Sequence, residues 1–224
     1  MTATFTTQVE PASSACIGAF ESHVTVRCTV EQLPRLAQWS RAAGVKMTHI
    51  MLARGREQSQ PMLTLTGEGS LSAQYATVYR LVGDLREAGF DPVRVKIEAA
   101  PWSDWIPQDN TEAQDQGLAR YFEHHIKLLI SPEESLERLA DLVSPYGAHV
   151  SWNARRTADE GRQERFVTQR CYLFGLSQAA ERLAALLTAL RDEGREILAI
   201  EREYVVYDSN TAIDDGWITT EVQA

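Results

Sequence analysis

A short phrase that pairs a glutamate with a histidine occurs twice in the chain. Residues 20–26 read FESHVTV and residues 122–128 read FEHHIKL, so Phe-Glu-x-His opens an alternating apolar run in both places. An imidazole titrates near neutral pH and a carboxylate can accept its proton, so the pair suits general acid–base catalysis. The same two groups are nitrogen and oxygen ligands for a divalent metal. The phrase therefore predicts a His/Glu site with one of these two chemistries.

The elements around each phrase repeat in the same order. Thr29-x-x-Gln32 follows the first phrase and Ser131-x-x-Glu134 follows the second, and both are capping-box patterns. Each box leads into a helix, two strands, a long amphipathic helix and a last strand. The order β-α-β-β-α-β is that of the ferredoxin-like unit, whose sheet order is 4-1-3-2. We therefore expect an α+β protein with an internal duplication of a ferredoxin-like βαββαβ unit.

The repeat divides the chain into five segments. We expect a polar N-terminal arm over residues 1–18, a first unit over 19–100, a connector over 101–120, a second unit over 121–206 and a tail over 207–224. Each unit should form its own antiparallel sheet.

The alternation of side chains along each strand separates ionisable residues from apolar ones. The apolar face must lie under the helices, because an amphipathic helix needs an apolar partner. Histidines, glutamates, threonines, lysines and arginines then share the open face of each sheet. Burial of so many ionisable groups is costly unless they pair or hold a ligand. We expect the two open polar faces to pack toward each other around a functional cleft, with a solvated open face as the alternative.

The candidate catalytic residues follow from the sheet order. Strands one and four of a unit are neighbours ~4.8 Å apart, and matching their midpoints brings Glu98 near His23 and Glu203 near His125. The two second strands each carry one further histidine, which we align with each other, roughly 10 Å away at the periphery of the site. The predicted catalytic residues are His23, His125, Glu98, Glu203, His49 and His149.

A divalent metal ion is the cofactor that this face could hold. The candidate ligands are Glu21, His23, Glu98, Glu123, His125, Glu201 and Glu203. Glu201 stands in the second unit where Lys96 stands in the first, so the second cluster is the more acidic and is the preferred metal site. No HExxH helix motif supports a metal, so general acid–base chemistry without one stays open.

Hydroxyl and cationic side chains on the same face predict a small anionic substrate. The predicted substrate-binding residues are Thr25, Thr64, Arg94, Lys96, Lys127, Ser151, Arg155, Thr168 and Arg170. Pairing with the neighbouring glutamates is the alternative role for the cationic members. No glycine-rich phosphate loop or dinucleotide fingerprint is present, so no nucleotide cofactor is predicted.

Two four-residue stretches, HVTV at 23–26 and HVSW at 149–152, share the pattern His-hydrophobic-Thr/Ser-hydrophobic. They resemble the paired motifs of the 2H phosphoesterases, which are bilobal. The resemblance implies a phosphodiesterase in which His23 and His149 act as general base and acid and the two hydroxyls bind the phosphate. In this chain the two stretches fall on non-equivalent strands of the repeat.

Composition narrows the class of protein. The 224 residues carry a net charge of −9, which argues against nucleic acid as a partner. Three cysteines without CxxC spacing indicate reduced thiols in a cytoplasmic protein. No apolar run reaches the ~18 residues of a membrane span, and the first residues lack the pattern of a signal peptide.

Together these patterns predict a cytoplasmic small-molecule enzyme, of hydrolase or lyase/isomerase type, with a His/Glu site in a cleft between two pseudo-symmetric sheets. The alternatives are the phosphodiesterase and a non-catalytic ligand-binding or assembly module. The substrate, the number of active half-sites and the oligomeric state do not follow from the sequence.

Overall fold

The computed structural model describes residues 16–155 and 161–217. Most of the expected arm and the last residues of the expected tail lie outside this range. The first half contains β1 (Ile17–Arg27), α1 (Leu33–Ala42), β2 (Lys46–Leu52), β3 (Ser59–Ser70), α2 (Leu71–Glu87) and β4 (Asp91–Ala99). No helix of the described residues is long and apolar enough to cross a membrane.

The second half follows a connector that carries α3 (Asn110–Gln116). Its elements are β5 (Tyr121–Ile130), α4 (Leu136–Val143), β6 (Ala148–Asn153), β7 (Gln163–Tyr172), α5 (Leu176–Asp192) and β8 (Glu196–Asp208). One short 3-10 helix follows α4 and another, Thr211–Asp214, follows β8. Both halves therefore have the element order β-α-β-β-α-β.

The eight strands form one closed antiparallel barrel, in the order β1-β3-β2-β6-β7-β5-β8-β4. Within each half the strand order is 4-1-3-2, as expected. The expectation of two separate sheets facing each other is wrong, because β2 pairs with β6 and β4 pairs with β8. These two pairings satisfy edge-strand backbone groups that two open sheets would leave unpaired. The polar faces of the two halves do face each other, across the interior of the barrel.

The apolar faces of the strands lie outward, under the helices. Val24 and Ile97 are fully buried beneath α2 in the first half, and Ile126 and Leu128 are fully buried in the second. Burial of each such side chain stabilises the fold by about 1.5–3 kcal/mol. The ionisable residues of the same strands are thereby left on the inner face.

The strand register confirms the predicted neighbours of the two histidines. Glu21 lies opposite Glu98 between β1 and β4. Glu123 lies opposite Glu203 between β5 and β8. On the other side of β1, His23 lies opposite Thr64 of β3. The same relation in the second half places a threonine of β7 beside the histidine of β5.

The register also corrects the placement of His49. Lys46 lies opposite Thr64, whereas His149 lies opposite Thr168. The structural counterpart of His149 is therefore Lys46. His49 is three residues further along β2, which places it on the outer face, where its Nε2 lies 2.9 Å from the Ser59 hydroxyl. Aligning the two halves by these histidines puts β2 three residues out of step with β6, because the sequence does not show how a strand pairs with its neighbour.

The segment after β8, residues 209–217, closes one end of the barrel, and we call it the C-terminal plug. The Trp217 indole N–H donates to the carbonyl of Val150 at 3.1 Å. Backbone N–H of Arg56 donates to the carbonyl of Asp215 at 3.0 Å. Gly55, in the turn between β2 and β3, has a φ of +111°, and a Cβ there would approach the Trp217 Cβ to 3.0 Å. This close approach requires glycine and holds the plug against the turn.

Candidate functional site

The barrel encloses a cavity of about 280 Å³ that inward side chains of all eight strands line. Two of the four predicted histidines, His23 and His125, reach it, together with Thr64 and Thr168. The side chain of Trp217 in the C-terminal plug lines it too. The predicted cleft therefore exists as the interior of one barrel.

The His23 set consists of Glu21, His23, Thr64 and Glu98. The imidazole Nδ1 of His23 lies 3.0 Å from the Thr64 hydroxyl. Its Nε2 lies 3.0 Å from a carboxylate oxygen of Glu98 and 3.6 Å from one of Glu21. These partners sit on the two strands beside β1 and on β1 itself, so local alternation and strand pairing assemble the set. Both ring nitrogens are thereby fixed.

The His125 set repeats this geometry with Glu123, His125, Thr168 and Glu203. Nδ1 of His125 lies 3.0 Å from the Thr168 hydroxyl. Its Nε2 lies 3.2 Å from Glu123 and 3.3 Å from Glu203. Burial disfavours the imidazolium, but hydrogen bonds to the two carboxylates outweigh it and raise the pKa of His125 to about 10. His125 is therefore protonated at neutral pH.

Lys96 connects the two sets. Its ammonium lies 2.5 Å from a carboxylate oxygen of Glu98 and also forms an ion pair with Glu123. Burial disfavours the ammonium, but the two carboxylates raise the pKa of Lys96 above its usual range. Burial likewise disfavours ionised Glu98, yet Lys96 and His23 lower the pKa of that carboxyl. Ion contacts therefore run without a break from one histidine to the other.

Two arginines complete a buried ionic network beside the C-terminal plug. Arg94 bonds Asp208 at 2.9 Å through Nε and Asp214 at 2.9 Å through Nη1. Arg170 bonds Glu123 at 2.5 Å and Asp214 at 2.9 Å. Burial disfavours the charged forms, but the carboxylates raise the pKa of both arginines. Both arginines are therefore paired with carboxylates, which is the alternative to substrate binding that the sequence left open for them.

The other predicted substrate-binding residues divide into two groups. Thr25, Ser151 and Lys127 line the cavity. The ammonium of Lys127 pairs with Glu164 at 2.6 Å. Arg155 is exposed and does not contribute to the cavity lining, so its expected place in the site is wrong.

Sequence reasoning missed several residues that line the cavity, among them Lys46, Asp214 and Trp217. Lys46 forms no ion pair with any residue of the described chain. Side chains alternate along β2, so Lys46 and His49 lie on opposite faces. Placing His49 on the inner face therefore placed Lys46 on the outer one. The two plug residues carried no such signal, because they reach the barrel only through tertiary packing.

His149 lies on the inner face of β6, at the end that the plug closes. Its ring centroid is 5.8 Å from that of Trp217. Burial and the nearby Arg170 lower the pKa of His149 to about 4, so it is neutral near pH 7. Its buried Nε2 has no hydrogen-bond partner among the described residues. His149 therefore differs from the two histidines that glutamates hold.

Part of the predicted ligand set could bind a metal. Glu98, Glu123, His125 and Glu203 each offer one ligand atom, and these atoms all lie within 4.8 Å of one another. The group draws one residue from the first half and three from the second. The remaining candidate ligands, Glu21, His23 and Glu201, lie outside this group. Burial and Glu98 raise the pKa of Glu203, against the opposing effect of His125.

No family model matches the chain, and no curated protein matches it in sequence. Among solved structures, the small subunit of acetolactate synthase from Thermotoga maritima is similar at 13% identity and a TM-score of 0.30, over 85% of this chain and 96% of that one. The siroheme decarboxylase NirDL is similar at 12% identity and 0.27, over 86% and 73%. Chlorite dismutase from Candidatus Nitrospira defluvii is similar at 11% identity and 0.30, over 88% and 94%. Values this low assign neither a family nor an activity to the chain.

Proposed function

We propose that the barrel interior is the active site of a small-molecule enzyme that works by general acid–base catalysis. One observation carries this proposal. In both halves a threonine contacts one ring nitrogen of the histidine and a glutamate contacts the other. Both histidines line a cavity of about 280 Å³. Such contacts select the tautomer and orientation of an imidazole, as proton transfer requires.

The two histidines take different roles. His125 is the general acid, because two carboxylates hold it in the protonated form. His23 is the general base, because its Nε2 has only one glutamate at hydrogen-bonding distance, the second being 3.6 Å away. An acid and a base in one site need different environments, and the carboxylate contacts of the two sets differ in number and distance.

The substrate is a small anion. Lys46 supplies the cationic group that faces the cavity without an ion pair to a described residue, and Thr64 lies opposite it on the neighbouring strand. An anionic group bound there would lie beside the Thr64 hydroxyl that contacts His23. The cavity volume lies at the lower end of the range for ligand sites, so the substrate has few heavy atoms.

A turnover screen tests the proposal. The protein is incubated with small carboxylates and phosphate esters, and NMR spectra record any conversion. We expect turnover that falls by roughly 10²-fold or more in His23→Gln and His125→Gln. His49→Gln is the matched control, because His49 lies on the outer face, and it should retain activity.

Other outcomes of the screen identify the alternatives. Binding without conversion of any compound would make the barrel a ligand-binding module. Hydrolysis of a 2′,3′-cyclic nucleotide that depends on His23 and His149 but not on His125 would make the protein a phosphodiesterase. Of the two stretches that resemble 2H motifs, HVTV has His23 on the inner face and HVSW has Ser151 there.

A metal-assisted reaction is the second candidate. Its support is the spacing of Glu98, Glu123, His125 and Glu203 within 4.8 Å, with oxygen and nitrogen atoms that suit one divalent ion. The ion would polarise a substrate oxygen or lower the pKa of a bound water. Elemental analysis of the purified protein, and activity before and after chelation, separate this candidate from metal-free catalysis.

Two further expectations remain proposals. The matching strand order and His–Thr contacts of the two halves support an origin by internal duplication. Free thiols at Cys16, Cys28 and Cys171 support a reducing compartment such as the cytoplasm.

A further inference from the structure

We infer that the ammonium of Lys96 is the built-in cation of the carboxylate cluster, so that the two halves share one composite site and a divalent ion binds tightly only when Lys96 is removed. The inference concerns the site of the proposed function, but it does not depend on the proposed catalysis. It also decides between the two candidate chemistries.

The first step is the position of the ammonium. Lys96 Nζ lies 2.5 Å from Glu98 and pairs with Glu123, and both carboxylates have side chains that are 1% exposed. Both oxygens of Glu98 are buried, with Lys96 at 2.5 Å and the His23 imidazole at 3.0 Å, so its charge depends on these two neighbours. A buried carboxylate without a counter-charge is strongly unfavourable. Lys96 therefore supplies part of the positive charge that balances the buried carboxylates.

The second step is the asymmetry of the two halves. Lys96 lies opposite His23 between β4 and β1. Glu201 occupies the corresponding place opposite His125 between β8 and β5. The second half thus has an acid where the first has a base, and its Glu123 takes the ammonium of the first half. Each half also has cations of its own on these carboxylates, but the ammonium of Lys96 contacts Glu98 of the first half and Glu123 of the second, which joins the two sets into a single site.

The third step is competition. The possible metal ligands include Glu98 and Glu123, and Lys96 contacts both of them. A metal ion prefers the same carboxylate oxygens that the ammonium occupies, and two cations close together repel each other. A divalent ion can therefore enter the cluster only after the ammonium has left it.

The experiment measures Mn²⁺ affinity at pH 7 by calorimetry, with metal content after dialysis as a second readout. The variant Lys96→Ala removes the ammonium, and Lys96→Arg keeps a cation in its place. The control is Lys127→Ala, which removes a lysine that lines the same cavity but pairs with Glu164. We expect Lys96→Ala to bind one Mn²⁺ at least about tenfold more tightly than the wild type. Lys96→Arg and Lys127→Ala should bind it as weakly as the wild type.

Two results would overturn the inference. One is tight, stoichiometric Mn²⁺ binding by the wild type with Lys96 in place. The other is a Lys96→Ala protein that folds and gains no affinity. Should Lys96→Ala not fold, Lys96→Gln provides the same test, because its neutral amide can donate to the carboxylates, and it too must bind Mn²⁺ more tightly than the wild type. Absence of turnover in the substrate screen would not affect these measurements.

Discussion

The His23 set and the His125 set have the same geometry and different electrostatics. In both, a threonine hydroxyl lies 3.0 Å from Nδ1 and carboxylates approach Nε2. The side chain of Glu21 is 37% exposed, whereas that of its counterpart Glu123 is 1% exposed. A repeated backbone thus carries a solvated carboxylate in one half and a buried one in the other.

The difference extends to the ion pairs that the two glutamates form. Glu123 contacts three cationic groups, from Lys96, Arg170 and His125. Glu21 contacts His23 at 3.6 Å and forms no other ion pair with the described residues. Glu123 is therefore part of the buried charge network of the barrel, whereas Glu21 lies at its edge.

Glu123→Gln should have the largest effect on stability. It leaves the cations of Lys96 and Arg170 buried with fewer counter-charges, and breaking such a buried network costs about 3–5 kcal/mol. Glu21→Gln, the matched change in the first half, should cost less than about 1 kcal/mol, because exposed pairs contribute little. Urea unfolding of both variants measures the difference. Equal losses would mean that the halves are equivalent in charge as well as in geometry.

The pH dependence of stability provides the next largest effect. The folded-state pKa of His125, about 10, lies above its unfolded value near 6.5. Its contribution is therefore complete below about pH 6.5 and is lost as the pH rises through about 10. We expect the free energy of unfolding to fall by about 2–4 kcal/mol over this window. His125→Gln should flatten the curve and His49→Gln should not. An unchanged slope in His125→Gln would contradict the assignment.

Local patterns predicted well which side chains lie beside the two histidines. The period of two in β1 and β5 places His23 and His125 on the inner face, and pairing of strand midpoints brings Glu98 and Glu203 beside them. Strand alternation and nearest-neighbour pairing are short-range properties, so a single sequence contains them.

Closure of the barrel could not be predicted in the same way. It depends on β2–β6 pairing over three residue pairs, with Met51 opposite Trp152, and on β4–β8 pairing. Neither contact leaves a mark in the local sequence. The buried carboxylate of Asp214 is similar, since it meets Arg94 from 120 positions away. The helix start was also misjudged, because Ser135 rather than Ser131 caps α4.

Asp214→Asn tests whether the C-terminal plug holds the two halves together. The Asp214 carboxylate accepts from Arg94 of the first half and Arg170 of the second, both at 2.9 Å. Since each arginine keeps another carboxylate, we expect a loss of about 1–3 kcal/mol in the free energy of unfolding. Asp215→Asn is the control, because its pair with Arg56 is exposed and 3.4 Å long, and it should change stability by less than about 0.5 kcal/mol.

Lys46 and His149 are structural counterparts with different surroundings, and Lys46→Gln should have the smallest effect on stability. Its side chain is exposed and pairs with no described carboxylate, so the free energy of unfolding should change by less than about 0.5 kcal/mol. Its effect should instead fall on ligands, because Lys46 is the cation that faces the cavity unpaired. Affinity for whichever anion the screen identifies should drop by roughly tenfold, measured by calorimetry, while Lys127→Gln should change it less. If Lys46→Gln bound the anion with unchanged affinity, Lys46 would not be the anion-binding residue. The anionic group of the substrate would then have to bind at the paired cations of the second half.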